Sequence, residues 1–244
     1  MKSKTKGRIL VDMSGHSIVG VGIYSISEAS RITGVPWNTM KRWTRGYSFR
    51  RAGELVDFPP IIAMDIGFIN GGPTLSFRDL MEVRFLNAFR KHGVSSRAIR
   101  IASRRACEIL QTTHPFSTKK FKTDGKTILT QFVDETGDDV LLDLVKNQFV
   151  FSRIVSRYLY GGIEYNDYDE LLRWYPLGKN RNIVIDPARN FGAPIIAQYG
   201  IPTKILMQAY TGSKSYKAVA KWYRIDEFSV RDAVRYERTL VIAA

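Results

Sequence analysis

The sequence predicts a mainly α-helical chain with small β-hairpins, on three observations. Ser25/Glu28, Ser76/Asp79 and Ser229/Asp232 each set a hydroxyl three residues before a carboxylate. That spacing is the capping box, in which each side chain satisfies an orphan backbone N–H at a helix start. Apolar residues recur at helical spacing, as in Ile26, Ala29 and Ile32. Gly and Pro clusters between β-prone runs supply turns. Of the 244 residues, 44% are hydrophobic and 25% charged, the balance of an ordered globular protein. A chain of this length splits naturally into small domains, here 1–111, a middle α+β segment 112–178, and a C-terminal unit 179–244.

Taken in order, Ser25 to Thr33 is a short helix that Gly34 stops. Pro36 suits the first turn of a second helix, running to about Arg45. At about 100° per residue, Pro36, Met40 and Trp43 fall on one side, the core face. Asn38, Lys41, Arg42 and Arg45 fall on the other. A short helix after a glycine turn with that outward face meets the needs of a major-groove reader. Asn pairs with adenine, Arg or Lys with guanine, and the cations with phosphate. A small helical hairpin with a solvated basic face is the bland alternative. Residues 52–74 hold Pro59-Pro60 and Gly71-Gly72-Pro73 and read as a hairpin-like excursion ending in a loop.

Two further helices follow, Phe77 to about His92 and, capped by Ser95, Ser96 to Leu110. On the second, Ala98, Ala102, Ala106 and Ile109 form the apolar face, and Arg97, Arg100 and Arg104 the opposite one. Those arginines suit phosphates beside a base-reading helix, or simply a solvated surface. Residues 117–131, with Asp124-Gly125 between β-prone runs, predict a hairpin. Asp134, Glu135, Asp138, Asp139 and Asp143 crowd around Gly137. A nucleic-acid-processing enzyme would need such carboxylates to converge on divalent ions, whereas acids at a helix start are favoured by its dipole and need no chemistry. A helix over Gln148–Leu159, an aromatic set from Tyr158 to Tyr175, and a linker at Pro176–Asn180 come next. The C-terminal unit reads as strands at Ile183–Ile185 and Ile195–Ile196, then helices over Pro202–Tyr210, Ser215–Tyr223 and Val230–Leu240.

The formal charge is +14, and it is segregated. Residues 1–56 hold ten Lys/Arg against three Asp/Glu, and residues 84–131 eleven against two, whereas residues 132–176 hold four against nine. This favours a polyanion partner, although a merely soluble basic surface also fits. One cysteine, Cys107, and three scattered histidines, His16, His92 and His114, predict no disulfide, no metal centre and no cofactor. No nucleophile–base pair or phosphate loop stands out, so a catalytic role is not expected. Neither an export signal nor a membrane span is expected, which points to a cytoplasmic protein.

Residues 24–45, with Arg50-Arg51 where a basic wing would fall, resemble the MerR family of transcription regulators. The likeness continues through Leu75–Leu86 and Phe89–Ser95. It implies a winged helix-turn-helix, with Arg50 and Arg51 on phosphates. Pro36-Trp37-Asn38 and Lys41 depart from that family's usual residues. The segment 182–240 is similar to a family of small VapB-like antitoxin domains. The carrying residues are Ile183–Pro187, Phe191–Ile196, Gly200–Thr203, Tyr210–Ser213 and Val230–Val234. The resemblance implies an antitoxin that neutralises a PIN-like ribonuclease toxin and represses their shared operon through double-stranded DNA. The alternative is a stand-alone MerR-like regulator whose C-terminal domain serves dimerisation. A homodimer is expected either way, because one short helix reads too few base pairs.

Overall fold

Ser25 opens the first helix, α1 (Ile26–Thr33), through the capping box expected of it: its hydroxyl accepts from the Glu28 N–H, and the Glu28 carboxylate accepts from Ser25. The computed structural model describes residues 20–51, 53–130, 139, 142, 161–178 and 182–242. Gly34, at φ 66°, ends α1 in the left-handed conformation. Inside the turn the Ser30 hydroxyl donates to the Val35 carbonyl at 2.5 Å. The chain then enters α2 (Trp37–Arg45), with Pro36 at its cap. Met40 and Trp43 are buried as their face requires, but Pro36 is exposed, because it sits before the first helical turn.

The excursion after α2 is two hairpins. Strands β2 (Tyr47–Arg51) and β3 (Glu54–Phe58) pair antiparallel, with Tyr47 opposite Phe58 and Arg50 opposite Leu55. Strands β4 (Gly67–Ile69) and β5 (Gly72–Leu75) pair likewise, and β5 also pairs with β1 (Tyr24–Ser25), giving the order β1-β5-β4. After β3 the Ile61 and Ile62 N–H groups both donate to the Trp43 carbonyl, tying the segment to the end of α2.

The main core lies under α3 (Phe77–Lys91) and α4 (Ser96–Leu110). Ser76 and Asp79 form the second capping box, and Ser95 caps α4 by accepting from Ala98. Ala98, Ala102 and Ala106 are buried as expected, but Ile109 is 41% exposed, one turn too late to meet the core. The expected hairpin at 117–131 is instead a helix, α5 (Lys119–Thr130). Phe121, Gly125, Ile128 and Leu129 are buried at a helical period, and the Thr118 hydroxyl caps the start by accepting from Phe121. Gly125 is needed for packing rather than for a turn: a Cβ there would lie 2.6 Å from the Phe121 ring. The Phe121 ring packs edge-on to Phe85 and Phe116, with centroids 4.9 and 5.0 Å away. Burying such a ring stabilises by about 2–3 kcal/mol, more than the Asp-Gly turn preference that would oppose it.

The acids Asp134, Glu135, Asp138 and Asp143 and the helix expected over Gln148–Leu159 lie outside the described residues. Strands β6 (Ile163–Tyr165) and β7 (Leu171–Trp174) form a third hairpin. Strands β8 (Ile183–Val184) and β9 (Ile195–Ile196) form the fourth, as expected. Three helices follow, α6 (Thr203–Ser213), α7 (Tyr216–Tyr223) and α8 (Glu227–Ile242), around a second core of Ile183, Leu206, Val219, Val230 and Val234. Gly212 does not stop α6; Lys214 at φ 55° does. The Ser229/Asp232 box is not formed. Asp226 caps α8 instead, its carboxylate accepting from the Ser229 N–H and hydroxyl, both at 2.7 Å. The helix thus starts three residues earlier than the sequence suggests.

The C-terminal helices dock on the first core. The Tyr24 hydroxyl donates to the Gly192 carbonyl at 2.8 Å, and a Cβ on Gly192 would fall 2.1 Å from that hydroxyl. Arg31 of α1 pairs with Glu237 of α8 at 2.6 Å. Trp174 and Ile185 exchange backbone hydrogen bonds at 2.9 and 2.8 Å.

Candidate nucleic-acid interface

The α1–α2 turn sets α2 with one face in the core and the other toward solvent. With Met40, Trp43 and Thr44 anchored in the core, helical geometry turns Asn38, Lys41, Arg42 and Arg45 outward, and all four are exposed. Lys41 Nζ lies 5.2 Å from the centre of the Trp37 ring, itself 46% exposed. Arg45 is drawn to the second hairpin: it donates to the Gly71 carbonyl at 2.8 Å and stacks over Phe68 at 5.1 Å. Asn38, Lys41 and Arg42 therefore form the outward part of the face, and Arg45 its hinge to the β4–β5 turn.

The β2–β3 hairpin stands immediately after α2. Gly46 makes the corner, at φ 73°, where a Cβ would meet the Phe58 carbonyl at 2.4 Å. On one face of the hairpin Tyr47, Phe49 and Phe58 stack, with Tyr47–Phe58 centroids 5.0 Å apart. Arg50 is exposed on the hairpin. Arg51 has its backbone in β2, and its side chain lies outside the description.

The arginine face of α4 divides. Arg97 and Arg104 are exposed. Arg100 is turned into the hairpin: it donates to the Pro59 carbonyl at 2.5 Å and lies over Phe58 and Tyr47 at 5.3 and 5.6 Å. Arg42 lies over the same Tyr47 ring at 5.3 Å. The Tyr47 ring therefore gathers α2, hairpin and α4 at one place, and Arg100 holds the hairpin there instead of facing outward. An i, i+3, i+4 pattern separates an apolar from a polar face, but it does not say which polar residue meets a neighbouring element.

Residues 22–103 match the family model described as "Putative DNA-binding HTH domain". Over 225 residues the chain is 30% identical to the "Putative antitoxin VapB45" of Mycobacterium tuberculosis (strain ATCC 25618 / H37Rv), covering 88% of this chain and 93% of that one. The chain belongs to the VapB45 family. A second relative of this VapB45-family chain, the uncharacterized protein Rv2308 of the same strain, is 25% identical over 95% of this chain and 97% of its own length. The crystal structure of Rv2018 from M. tuberculosis superposes with a TM-score of 0.69 at 27% identity, covering 88% of this chain and 98% of that one. Residues 183–236 match a protein family of unknown function, DUF433.

One cluster in this VapB45-family chain was not visible in its sequence. His114, far along the sequence from His16 and His92, meets Asp65 and Asp79, with ligand-type atoms all within 4.8 Å. The six oxygen and nitrogen atoms are all engaged in hydrogen bonds. Asp79 takes His114 Nε2 on one oxygen at 2.6 Å and the Ser76 and Asp65 N–H groups on the other. Asp65 takes Arg78 through two bonds, and the Ser76 hydroxyl; His114 Nδ1 meets Thr113. The cluster thus ties the start of α3 to the 112–118 segment. Beside it, buried Glu82 accepts from the Ser117 N–H at 2.7 Å, and burial pushes its carboxyl up to about 8. Burial opposes charging of the His114 ring, but the Asp79 hydrogen bond and the nearby carboxylates together hold its pKa above the usual histidine value. Burial pushes the Cys107 thiol up to about 11.

Proposed function

We propose that this chain is the DNA-binding antitoxin of a type II toxin–antitoxin pair. In this reading it represses its own operon and neutralises a PIN-like ribonuclease toxin. The observation that carries the DNA part is the joint exposure of Asn38, Lys41 and Arg42 on α2, beside a hairpin held as a wing, within the segment that matches a DNA-binding helix-turn-helix. The antitoxin part rests on the full-length relative that carries that name.

In this reading α2 enters the major groove as in a MerR-like winged helix-turn-helix. Asn38, Lys41 and Arg42 read base edges and phosphates, while Arg45, Arg50, Arg51, Arg97 and Arg104 serve the flanking backbone. Arg100 serves indirectly, by fixing the wing. The chain acts as a homodimer, whose two α2 helices span half-sites about 34–36 Å apart. It works by binding, without catalysis of its own. No helix among the described residues is long and apolar enough to cross a membrane, which is consistent with a DNA-bound role in the cytoplasm.

The test is fluorescence anisotropy with the DNA upstream of the chain's own gene, together with co-expression of the neighbouring reading frame. The reading predicts a specific Kd of about 10⁻⁸ M or below, co-purification of the neighbouring product, and suppression of its ribonuclease activity. Equal binding to upstream and unrelated DNA would overturn the repressor. A neighbour that neither co-purifies nor cleaves RNA would overturn the antitoxin and leave the stand-alone regulator.

A further inference from the structure

The α7–α8 pair repeats the build of α1–α2. Each pair opens with a helix of 8 residues capped by the serine before it: Ser25 accepts from the Glu28 N–H, and Ser215 from the Ala218 N–H. Each first helix ends on a left-handed residue, Gly34 at φ 66° and Arg224 at φ 54°. The N–H of that residue returns to the carbonyl of Ser30 in one and of Ala220 in the other. A short turn follows, with Val35 or Ile225 packed on the core. The second helices then bury corresponding positions: Met40, Trp43 and Thr44 in α2, and Val230, Ala233 and Val234 in α8. Corresponding positions are also exposed: Asn38, Lys41 and Arg45 on α2, and Phe228, Arg231 and Arg235 on α8. The repeat departs at Arg42, whose counterpart Asp232 is buried.

A second observation is the charge on that face. Phe228, Arg231, Arg235 and Arg238 fall within about 80° of one another on α8, and all four are exposed. The carboxylates of α8 are taken up elsewhere. Asp232 is buried, and buried Glu237 holds Arg31 at 2.6 Å and the Thr203 hydroxyl. Glu227 pairs with Arg231, so Arg231 is only partly available. Among the described residues neither Arg235 nor Arg238 meets a carboxylate. The Arg238 guanidinium lies 5.7 Å from the centre of the Tyr210 ring and that of Arg231 4.5 Å from Tyr216, and the two rings stack 4.3 Å apart. These contacts hold two of the guanidiniums in place while leaving their charge uncancelled by the rings. On α7, Lys217 and Lys221 are exposed as well.

We propose that α7–α8 is a second DNA-contacting helix-turn-helix, with the outer face of α8 against the duplex. Arg235 and Arg238 hold phosphates, and Lys217 and Lys221 flank the same backbone from the first helix. Phe228 and Arg231 stand at the N-terminal end of α8, where a recognition helix meets base edges, and a phenyl ring there suits a thymine methyl. Double-stranded DNA is favoured over an acidic protein for two reasons. The arrangement repeats that of a segment matched to a DNA-binding helix-turn-helix. The centre of a protein interface is depleted of charge, whereas arginines run along the middle of this face. The Arg31–Glu237 pair joins α8 directly to α1, so each chain carries two linked readers and gains contacts that one short helix lacks. The proposal extends the DNA-binding reading to a new surface, and α8 carries it independently of Lys41 and Arg42.

The experiment is fluorescence anisotropy of the full chain with the duplex upstream of its own gene, at several salt concentrations. It compares the parent with Arg235→Ala/Arg238→Ala and Arg235→Lys/Arg238→Lys chains. If both arginines hold phosphates, the alanine chain should bind about tenfold more weakly, with a log–log salt slope flatter by about 1.8. The lysine chain keeps the charge and should keep the parent's slope. Both positions are exposed, so the melting temperature should hold. If it falls in the alanine chain, Arg235→Ala alone reads the effect as a slope change of about 0.9. An alanine chain with the parent's affinity and slope would overturn the proposal, as would a parent that binds no duplex. Retained DNA binding with loss of co-purification of the neighbouring product would assign the face to a protein and overturn it too. A loss in the Arg235/Arg238 chain beside unchanged binding by Lys41→Ala/Arg42→Ala would support α8 and sink only the α2 reading. The converse pattern would sink only α8.

Discussion

Replacing Arg100 by alanine should cost stability, whereas replacing its neighbours Arg97 or Arg104 should not. Arg100 makes a charge-assisted hydrogen bond to the Pro59 carbonyl and lies over two hairpin rings. A hydrogen bond from a charged donor contributes about 1.5–3 kcal/mol. Each cation–π contact at a partly exposed site adds about 0.5–1 kcal/mol. Non-additivity and residual solvation reduce the sum, so Arg100→Ala should destabilise by about 2 kcal/mol. For a chain of this size that lowers the melting temperature by about 4–8 °C. Arg97→Ala and Arg104→Ala should remain within about 0.5 kcal/mol of the parent. Under the phosphate-contact reading, each of these two instead flattens the salt dependence of DNA binding by about 0.9 in log–log slope. Urea or thermal unfolding reads the first effect, and anisotropy at several salt concentrations the second. An Arg100→Ala chain melting within 1 °C of the parent would refute the argument that Arg100 is the tie between α4 and the hairpin.

Gly46→Ala should destabilise by more than about 2 kcal/mol in urea unfolding, since the corner holds φ 73° and ψ −174° with the Phe58 carbonyl 2.4 Å from the added Cβ. Tyr24→Phe should cost about 1–3 kcal/mol, because it leaves the Gly192 carbonyl without its buried donor; the same unfolding assay reads it. Stability should also depend on pH with a definite sign. Glu82 and His114 both have raised folded pKa values, so the contribution of each is complete only below its unfolded pKa, about 4.3 for Glu and about 6.5 for His. It declines as pH rises from the unfolded Glu value toward about 8 for Glu82, and from about 6.5 upward for His114. Asp65, held below its usual value by Arg78, His114 and Ser76 against the opposing effect of burial, loses its contribution as pH falls below about 3.8. Unfolding free energy should therefore peak on the acid side of neutral, and Glu82→Gln should flatten the decline toward pH 8.

Much of the fold was legible because it rests on local chemistry. The Ser25/Glu28 and Ser76/Asp79 boxes and the Ser95 cap form as their spacing predicts. Where local signals compete, the sequence misleads. Asp124-Gly125 has the residues of a hairpin turn, but Phe121, Ile128 and Leu129 can all be buried only along a helix, and the glycine makes room for a ring. Ser229 and Asp232 have the spacing of a cap, yet Asp226 takes that role because its carboxylate satisfies two donors at once. The exposed face of α2 was legible from angular bookkeeping alone. The inward turn of Arg100 and the Asp65–Asp79–His114 cluster were not. Each arises from residues brought together from distant parts of the chain, and no periodicity records such a meeting.

The central claim is that α2 reads DNA through Lys41 and Arg42. The most direct measurement is the affinity of the parent and of the Lys41→Ala/Arg42→Ala chain for the upstream DNA, taken from low to physiological salt with unrelated DNA as competitor. If both side chains contact phosphate, the plot of log affinity against log salt should be flatter by about 1.8 in the variant. Base contacts would appear as about 1–3 kcal/mol of lost specificity per residue. The account predicts weaker binding at every salt concentration with the fold unchanged, since both residues are exposed. Affinity, slope and specificity all equal to the parent's would contradict it.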